Sequence, residues 1–417
     1  MKGSPRDDGT AGPRLPPGFA ALVGRAGIRS GPGDDVVALW ATQAASSAAV
    51  FTRSRFAGPS VTLSRAHAAG GRARGVVVVA GNANVATGPQ GEHDAVELGE
   101  LAAGLTGLHP SEVLVASTGV IGRPYPMAVL RAWFAHAAAL RDDSGPAGGD
   151  GVGDVPGAGA TARRTGRAAD VAAAIMTTDT VTKTAARRVG PATVVGMAKG
   201  VGMIEPDMAT MLAFVCTDAA VEPPDLDRLW RRVVDETFNC LSVDGDTSTS
   251  DTAVVLASGA AGPVPEADLT VALREVCLDL TLQLARDGEG ATKLLTVTVR
   301  SARDRDQARR VAKAIVNSPL VKTAAHGGDP NWGRVAMAIG KNADDHDIDP
   351  DRVVIRFGDL EAYPAVPGEQ GLAALAELLA GDHVDIDVEL GAGDAEATAY
   401  GCDLSAEYVR INADYTT

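Results

Sequence analysis

Residues 199–218 read KGVGMIEPDMATMLAFVCTD, and the rest of the chain is read outward from them. Gly200, Gly202 and Pro206 crowd the approach to Met208, and an uninterrupted apolar run, residues 211–215, follows Thr210. Glycine and proline punctuate turns, while a short apolar run reads as a buried strand. A strained turn therefore leads into a buried strand with a hydroxyl at the junction. Such a hydroxyl suits an N-terminal-nucleophile mechanism, in which Thr210 Oγ attacks the carbonyl of Ala209. An N-to-O acyl shift and hydrolysis then free the Thr210 amine, which serves as general base for its own hydroxyl without a histidine. Ala209 is small and leaves room for the attack. Threonine at a strand start is also common for structural reasons, and on this segment alone the structural reading prevails.

Strand and helix patterns alternate around this junction. Residues 75–80 (GVVVVA) read as a buried strand, and residues 126–140 as a helix. Residues 225–238 put Leu226, Leu229, Trp230, Val233, Val234 and Phe238 on one helical face, and residues 268–285 repeat the pattern up to a stop at Gly288. Residues 294–300 alternate like a half-buried strand, and residues 304–316 form another amphipathic helix. The mixture predicts an α/β or α+β fold. The stretch 142–167, rich in Gly, Pro and Asp, is expected to be a flexible, solvated insertion, and residues 1–17 a disordered tail. There is no internal repeat.

The 417 residues support a sizeable core, but aromatics are only 4%, so Ala, Val, Leu and Ile must build it. A net charge of −15 opposes nucleic-acid binding, which needs a clustered basic face, and opposes anchoring to anionic lipid. No apolar stretch reaches membrane-spanning length, and no secretory signal opens the chain. Cys216, Cys240, Cys277 and Cys402 are scattered without CxxC spacing, which predicts reduced thiols and a cytoplasmic location.

Several long motifs, in order, resemble the ornithine acetyltransferase family, also described as glutamate N-acetyltransferases, the ArgJ family of arginine biosynthesis. They are GNANVATG at Gly81, STGVIGRPYPM at Ser117, KGVGMIEPDMATML at Lys199, NCLSVDGDTSTSDT at Asn239, SPLVKTAAHGGDPNWGR at Ser318 and the terminal YVRINADYTT. The resemblance covers residues 18–417. It implies an αββα sandwich of the self-processing, N-terminal-nucleophile type, cut between Ala209 and Thr210 into an α chain (18–209) and a β chain (210–417). It implies Thr210 as nucleophile and Thr118 with Gly119 as oxyanion donors, a hydroxyl and a backbone N–H beside the developing charge. Without the resemblance, Thr118 and Gly119 read as a turn after a strand at residues 113–116. Substrate contacts carry over to Thr177, Lys199, Thr210, Glu289, Asn412 and Thr417. The division of labour between Lys199 and Glu289 follows from charge. N-acetylornithine offers an α-carboxylate and a δ-ammonium, so Lys199 suits the first and Glu289 the second.

The resemblance implies ping-pong acetyl transfer from N-acetylornithine to glutamate, with no metal or organic cofactor, in a heterotetramer of two α and two β chains. Alternatives are a bifunctional enzyme that also acetylates glutamate from acetyl-CoA, and an amidohydrolase on the same fold. An inactive scaffold would have lost the nucleophile, which is present. Glu205, Pro206 and Asp207 depart from the common family pattern, as does Tyr125. With HGGDPNWGR, these features look closer to the family members of antibiotic clusters such as that for clavulanic acid. Other polar clusters read as structural. Asp244, Asp246 and Asp251 suit Asx and Ser/Thr turn bonding better than a cation site, and Asn82 and Asn84 suit backbone bonding in a loop. His326 is a poor metal candidate that lines the site or packs beside it.

Overall fold

The computed structural model describes residues 12–142, 152–154, 160–205, 211–365 and 367–414. Ala209, Thr210 and Thr417, with the cleavage junction, lie outside the described residues.

Two sheets pack face to face. The first contains β1 (Phe19–Arg25), β2 (Val36–Ala41), β4 (Gly75–Asn82), β5 (Val113–Val120), β6 (Val152–Asp154) and β7 (Thr161–Thr165), in the order β5-β4-β2-β1-β7-β6. The second contains β3 (Ser46–Phe51), β8 (Lys183–Val189), β9 (Ala192–Lys199), β10 (Leu212–Ala220) and β11 (Thr252–Pro263), in the order β3-β11-β10-β9-β8. Val37, Val76 and Leu114 of the first sheet share a core with Val195, Phe214 and Val254 of the second. The outer face of the first sheet carries α2 (Gly88–Thr106) and α3 (Met127–Asp142), through Leu98, Leu130 and Trp133. The outer face of the second carries α5 (Pro223–Glu236) and α6 (Glu266–Arg286), through Leu229, Trp230, Leu273 and Leu280. The layers are therefore αββα. Strands covered on both faces must be apolar at consecutive positions, which is why β2 reads VVALWA and β10 opens LAFVC. Helix α1 (Pro59–Ala68) packs on β5 and β3, and α4 (Ala168–Ile175) is built into the inter-sheet core.

A third sheet was not legible beyond its first strand. It comprises β12 (Leu294–Ala302), β13 (Val354–Phe357), β14 (Leu360–Tyr363), β15 (His383–Glu389) and β16 (Ala395–Cys402), in the order β14-β13-β15-β12-β16. Alternation in β12 buries Leu295, Val297 and Val299 under α7 (Arg305–Val316), α8 (Pro319–Gly327), α9 (Trp332–Gly340) and α10 (Glu369–Leu379). The last helix is α11 (Ala406–Asp414).

The helices predicted at residues 126–140, 225–238, 268–285 and 304–316 are all present within a few residues. Asp304 caps α7 by accepting from Gln307 N at 2.7 Å. Three expectations need correction. The insertion 142–167 is not all loop, because residues 161–165 form β7 against β1 with Ala162 fully buried. That strand is short and its apolar anchor is one alanine, held where Trp133 Nε1 donates to Thr161 O at 2.9 Å. Residues 12–17 of the expected tail are tied to the fold, with Leu15 N donating to Gly166 O and Ala168 N to Pro13 O. The strand at residues 113–116 continues to Val120, so Thr118 and Gly119 lie on its end rather than in a turn after it. Among the described residues no helix is long and apolar enough to cross a membrane. All four cysteines are buried and unpaired.

Candidate active site

The site forms where β5 of one sheet and β9 of the other end beside the loop after α6. Thr118, Gly119, Thr177, Lys199, Glu289 and Asn412 line one cleft of about 130 Å³, with Thr178 and Tyr408 among the further walls. That volume is below the several hundred Å³ of a drug-sized pocket and suits an amino-acid-sized group. A larger open groove of about 650 Å³ lies elsewhere, where Arg231 and Arg309 pair with Asp227 and Asp235.

Two glycines shape the cleft. Gly119 has φ +126°, and a Cβ there would stand 2.4 Å from the Gly81 carbonyl carbon on the neighbouring strand. Its main chain can therefore approach β4 more closely than any other residue would allow. At Gly202 a Cβ would stand 2.6 Å from Glu289 Oε2. The missing side chain makes room for that carboxylate.

Lys199, at the end of β9, is almost fully buried, and its Nζ donates to Thr177 Oγ1 at 3.2 Å. Burial pushes the ammonium down from its ordinary value, against the pull of Asp179. Behind it, Lys183 Nζ is buried between Asp179 at 2.7 Å and Asp287 at 2.5 Å. Asp179 also accepts from Gly200 N at 2.7 Å and from Thr177 N at 3.1 Å, tying both chain segments of the Lys199–Thr177 pair together. Burial pushes the Asp179 carboxyl up, but the cations Lys199 and Lys183, with the Gly200 amide, outweigh it and hold the carboxyl below the usual range.

Glu289 accepts from Thr178 Oγ1 at 3.2 Å and from Asn412 Nδ2 at 2.8 Å. Its backbone N donates to Val201 O at 2.8 Å. Helix α11 reaches this loop because Gly290, at φ +68°, has no Cβ to meet Tyr408 N, which would lie 2.5 Å away. Ser405 Oγ, just before α11, donates to Gly290 O at 2.6 Å. The loop is fixed from its far side by Asp403, which accepts from Thr292 N, Thr292 Oγ1, Lys293 N and His326 Nδ1. His326 thus packs behind the site and does not line it.

The turn bonding expected of the aspartates is present but reaches further along the chain. Asp244 accepts from Asp246 N and also from Met203 N and Ile204 N. Asp251 accepts from Met211 N at 2.9 Å, across 40 residues. Asn82 donates to Pro124 O and Asn84 to Gly91 O, the backbone bonding expected of loop residues. Glu205, the last described residue before the junction, is held by Asn317 Nδ2 at 2.7 Å, by Lys313 Nζ at 3.1 Å and by the Ser242 hydroxyl. Thr178, Asp179, Asp287 and Tyr408 belong to the site and were missed. The run TTDT before Lys183 carried a signal, since Thr/Asp clusters supply short-range polar groups, but their distant partners left none.

A cation and a carboxylate facing one small cleft, with Thr118 and Gly119 at its edge, can bind a zwitterionic amino acid and polarise a carbonyl. The ArgJ family model matches residues 20–417 of the chain. The chain is 52% identical over 410 residues to glutamate N-acetyltransferase Oat2 of Streptomyces clavuligerus, covering 97% of this chain and 99% of that one. It is 48% identical over 417 residues to the arginine biosynthesis bifunctional protein ArgJ of Rhodococcoides fascians, covering 100% of this chain and 97% of the relative. Among solved structures, an ArgJ from Bacillus halodurans is 43% identical with a TM-score of 0.46, covering 48% of this chain and 98% of that one.

Proposed function

The chain belongs to the ArgJ family, and from that premise we propose that it moves an acetyl group from N-acetylornithine to glutamate through an acetyl ester on Thr210. The observation that carries the substrate reading is the pairing of Lys199 and Glu289 on one amino-acid-sized cleft. The α-carboxylate of the donor pairs with Lys199 and Thr177, and the δ-ammonium with Glu289. Each charge leaves water only by meeting its opposite, which is the condition for burying it.

In this reading the chain first cuts itself between Ala209 and Thr210. The freed Thr210 amine takes the proton of its own hydroxyl as Oγ attacks the acetyl carbonyl. The Thr118 hydroxyl and the Gly119 N–H receive the oxyanion, and ornithine leaves with the proton on its α-amine. The amine of glutamate then attacks the ester by the same steps in reverse. The glutamate side chain brings a carboxylate towards Glu289, where Thr178 and Asn412 are donors able to turn to it. The relatives described as bifunctional favour a second reading, in which acetyl-CoA also loads Thr210. We further propose a cytoplasmic heterotetramer of two α and two β chains, serving arginine or antibiotic biosynthesis.

The test is acetyl exchange with the purified enzyme. Glutamate-dependent release of ornithine supports transfer, whereas release at a rate independent of glutamate identifies an amidohydrolase. Acetylglutamate formed from acetyl-CoA and glutamate alone identifies the bifunctional enzyme.

A further inference from the structure

Four consecutive residues, Thr177 to Thr180, each bond to a different part of the cleft. Thr177 Oγ1 accepts from Lys199 Nζ, and Thr178 Oγ1 donates to Glu289. Asp179 accepts from Lys183 Nζ and Gly200 N, while the Thr180 hydroxyl and N–H both donate to Asp287. Lys183 closes this frame. Its side chain starts from β8, where the register sets it opposite Ala198, the residue before Lys199. It is fully buried, and its Nζ donates to Asp179 Oδ1 at 2.7 Å and to Asp287 Oδ2 at 2.5 Å. Asp179 holds the chain at Gly200, just after Lys199, and Asp287 stands two residues before Glu289. One ammonium therefore ties the arm that carries Lys199 to the arm that carries Glu289. The bond from Glu289 N to Val201 O at 2.8 Å is a second tie between the same arms.

Stability does not account for this arrangement. Taking one cation and two carboxylates out of water costs about as much as their attraction returns, and apolar side chains of similar volume would serve as well. Substrate contact does not account for it either, because Asp179, Thr180, Lys183 and Asp287 do not line the cleft. What the frame does is fix where two charges stand. It also decides what Lys199 can bond. Asp179 attracts Lys199, but its Oδ1 is taken by Lys183 Nζ and Gly200 N, and its Oδ2 by Thr177 N. The Lys199 ammonium is left on the neutral Thr177 hydroxyl, at 3.2 Å, on the cleft wall.

We propose that Lys183 is a positioning residue that sets the separation of Lys199 and Glu289, and through it the length of diamino acid accepted as acetyl donor. The inference rests on the acetyl-transfer reading above. A donor held by its α-carboxylate at one end and its side-chain ammonium at the other must match a fixed span. Ornithine matches it. In 2,4-diaminobutyrate, one methylene shorter, one charge falls short of its partner, and lysine, one methylene longer, must buckle. A charge withdrawn from water without reaching its opposite is costly. A single methylene is commonly worth about 10- to 200-fold in selection. Without the frame, the two arms would shift to meet either homologue.

The experiment compares kcat/KM for the α-N-acetyl derivatives of ornithine, 2,4-diaminobutyrate and lysine, with glutamate as acceptor. The wild type is expected to prefer the ornithine donor at least about tenfold over each homologue. Lys183→Met combined with Asp287→Asn removes one buried charge of each sign, so Asp179 and Lys199 still balance, and it cuts the tie between the arms. Circular dichroism and thermal melts check its fold. The preference should fall to within about threefold, and KM for N-acetylornithine should rise at least about tenfold with a smaller loss of kcat. A merely loosened fold would lower all three donors together. A preference that survives at wild-type strength, or a folded variant without turnover, would overturn the inference and leave the acetyl-transfer reading standing. So would a wild type that uses all three donors alike. A wild type that transfers from none of them overturns both. Should the double variant fail to fold, Asp287→Asn alone keeps the shape and both buried ammoniums. It is expected to weaken the preference at least about threefold, and an unchanged preference there overturns the inference.

Discussion

Asn412 Nδ2 donates to Glu289 Oε2 at 2.8 Å, although 123 residues separate the two in the chain. The contact joins the last helix to the loop after α6, and it gives Glu289 a neutral partner rather than a cationic one. The carboxylate is thus positioned by neutral hydrogen-bond donors, as the ammonium contact proposed for it requires.

Replacing that charge should change substrate choice. Glu289→Gln keeps the shape of the side chain but removes the attraction, worth roughly 1.5–3 kcal/mol for a charge-assisted contact. The ratio of kcat/KM for N-acetylornithine over neutral N-acetylnorvaline should therefore fall about ten- to hundred-fold. Measured in both proteins, an unchanged ratio would mean that Glu289 does not read the ammonium.

Gly202 tests the same carboxylate through space. Its φ lies outside the left-handed region, so Gly202→Ala adds no backbone strain, but the new Cβ would sit 2.6 Å from Glu289 Oε2. The flexible carboxylate must move. Thermal stability should change little, by less than about 1 kcal/mol, while KM for N-acetylornithine rises. A parallel rise for N-acetylnorvaline would show a general disturbance rather than loss of the ammonium contact.

Thr118→Ala removes the hydroxyl proposed above as an oxyanion donor, at the end of β5. Such a donor acts on the transition state, so kcat should drop ~10²–10³-fold with KM nearly unchanged. Steady-state kinetics of the mature enzyme check this. A variant with raised KM and intact kcat would assign Thr118 to binding alone.

Burial raises the carboxyl of Asp251 well above the carboxylate range, which makes a stability prediction. A group whose folded pKa lies above its unfolded value, here about 3.9 for Asp, binds its proton more tightly in the native state. Its contribution is fully present below the unfolded value and is lost as pH rises through the folded one. In an uncut Thr210→Ala background, adding Asp251→Asn should remove that loss, by up to about 1.4 kcal/mol per pH unit across the window. Thermal melts of the two proteins from acid to alkaline pH would show the curves diverging. Parallel curves would mean that Asp251 titrates normally.

These residues also mark what the sequence could reveal. Thr118, Gly119, Lys199 and Asn412 were legible because each sits in a contiguous motif, Thr177 and Glu289 came from the family resemblance alone, and all six line one cleft in the structure. Helical faces such as that of α5 were legible because their period is local. The Lys183 ion pairs were not, because a fully buried lysine is rare and Asp287 lies 104 residues away. Asp251 read as a turn former for the same reason, its partner Met211 being set by strand register rather than by spacing. Strand β7 was hidden in a Gly- and Pro-rich stretch, where a single buried alanine gives no period to detect.

The central claim is that Thr210 becomes a free N-terminus and then carries the acetyl group. Intact-mass measurement of the purified wild-type protein, before and after mixing with N-acetylornithine without an acceptor, addresses both parts at once. The account predicts two chains, residues 1–209 and 210–417, with the second gaining one acetyl group that is lost on adding glutamate. It also predicts that Thr210→Ala remains a single chain. A wild type that stays full length, or a second chain that never gains the acetyl group, would contradict it.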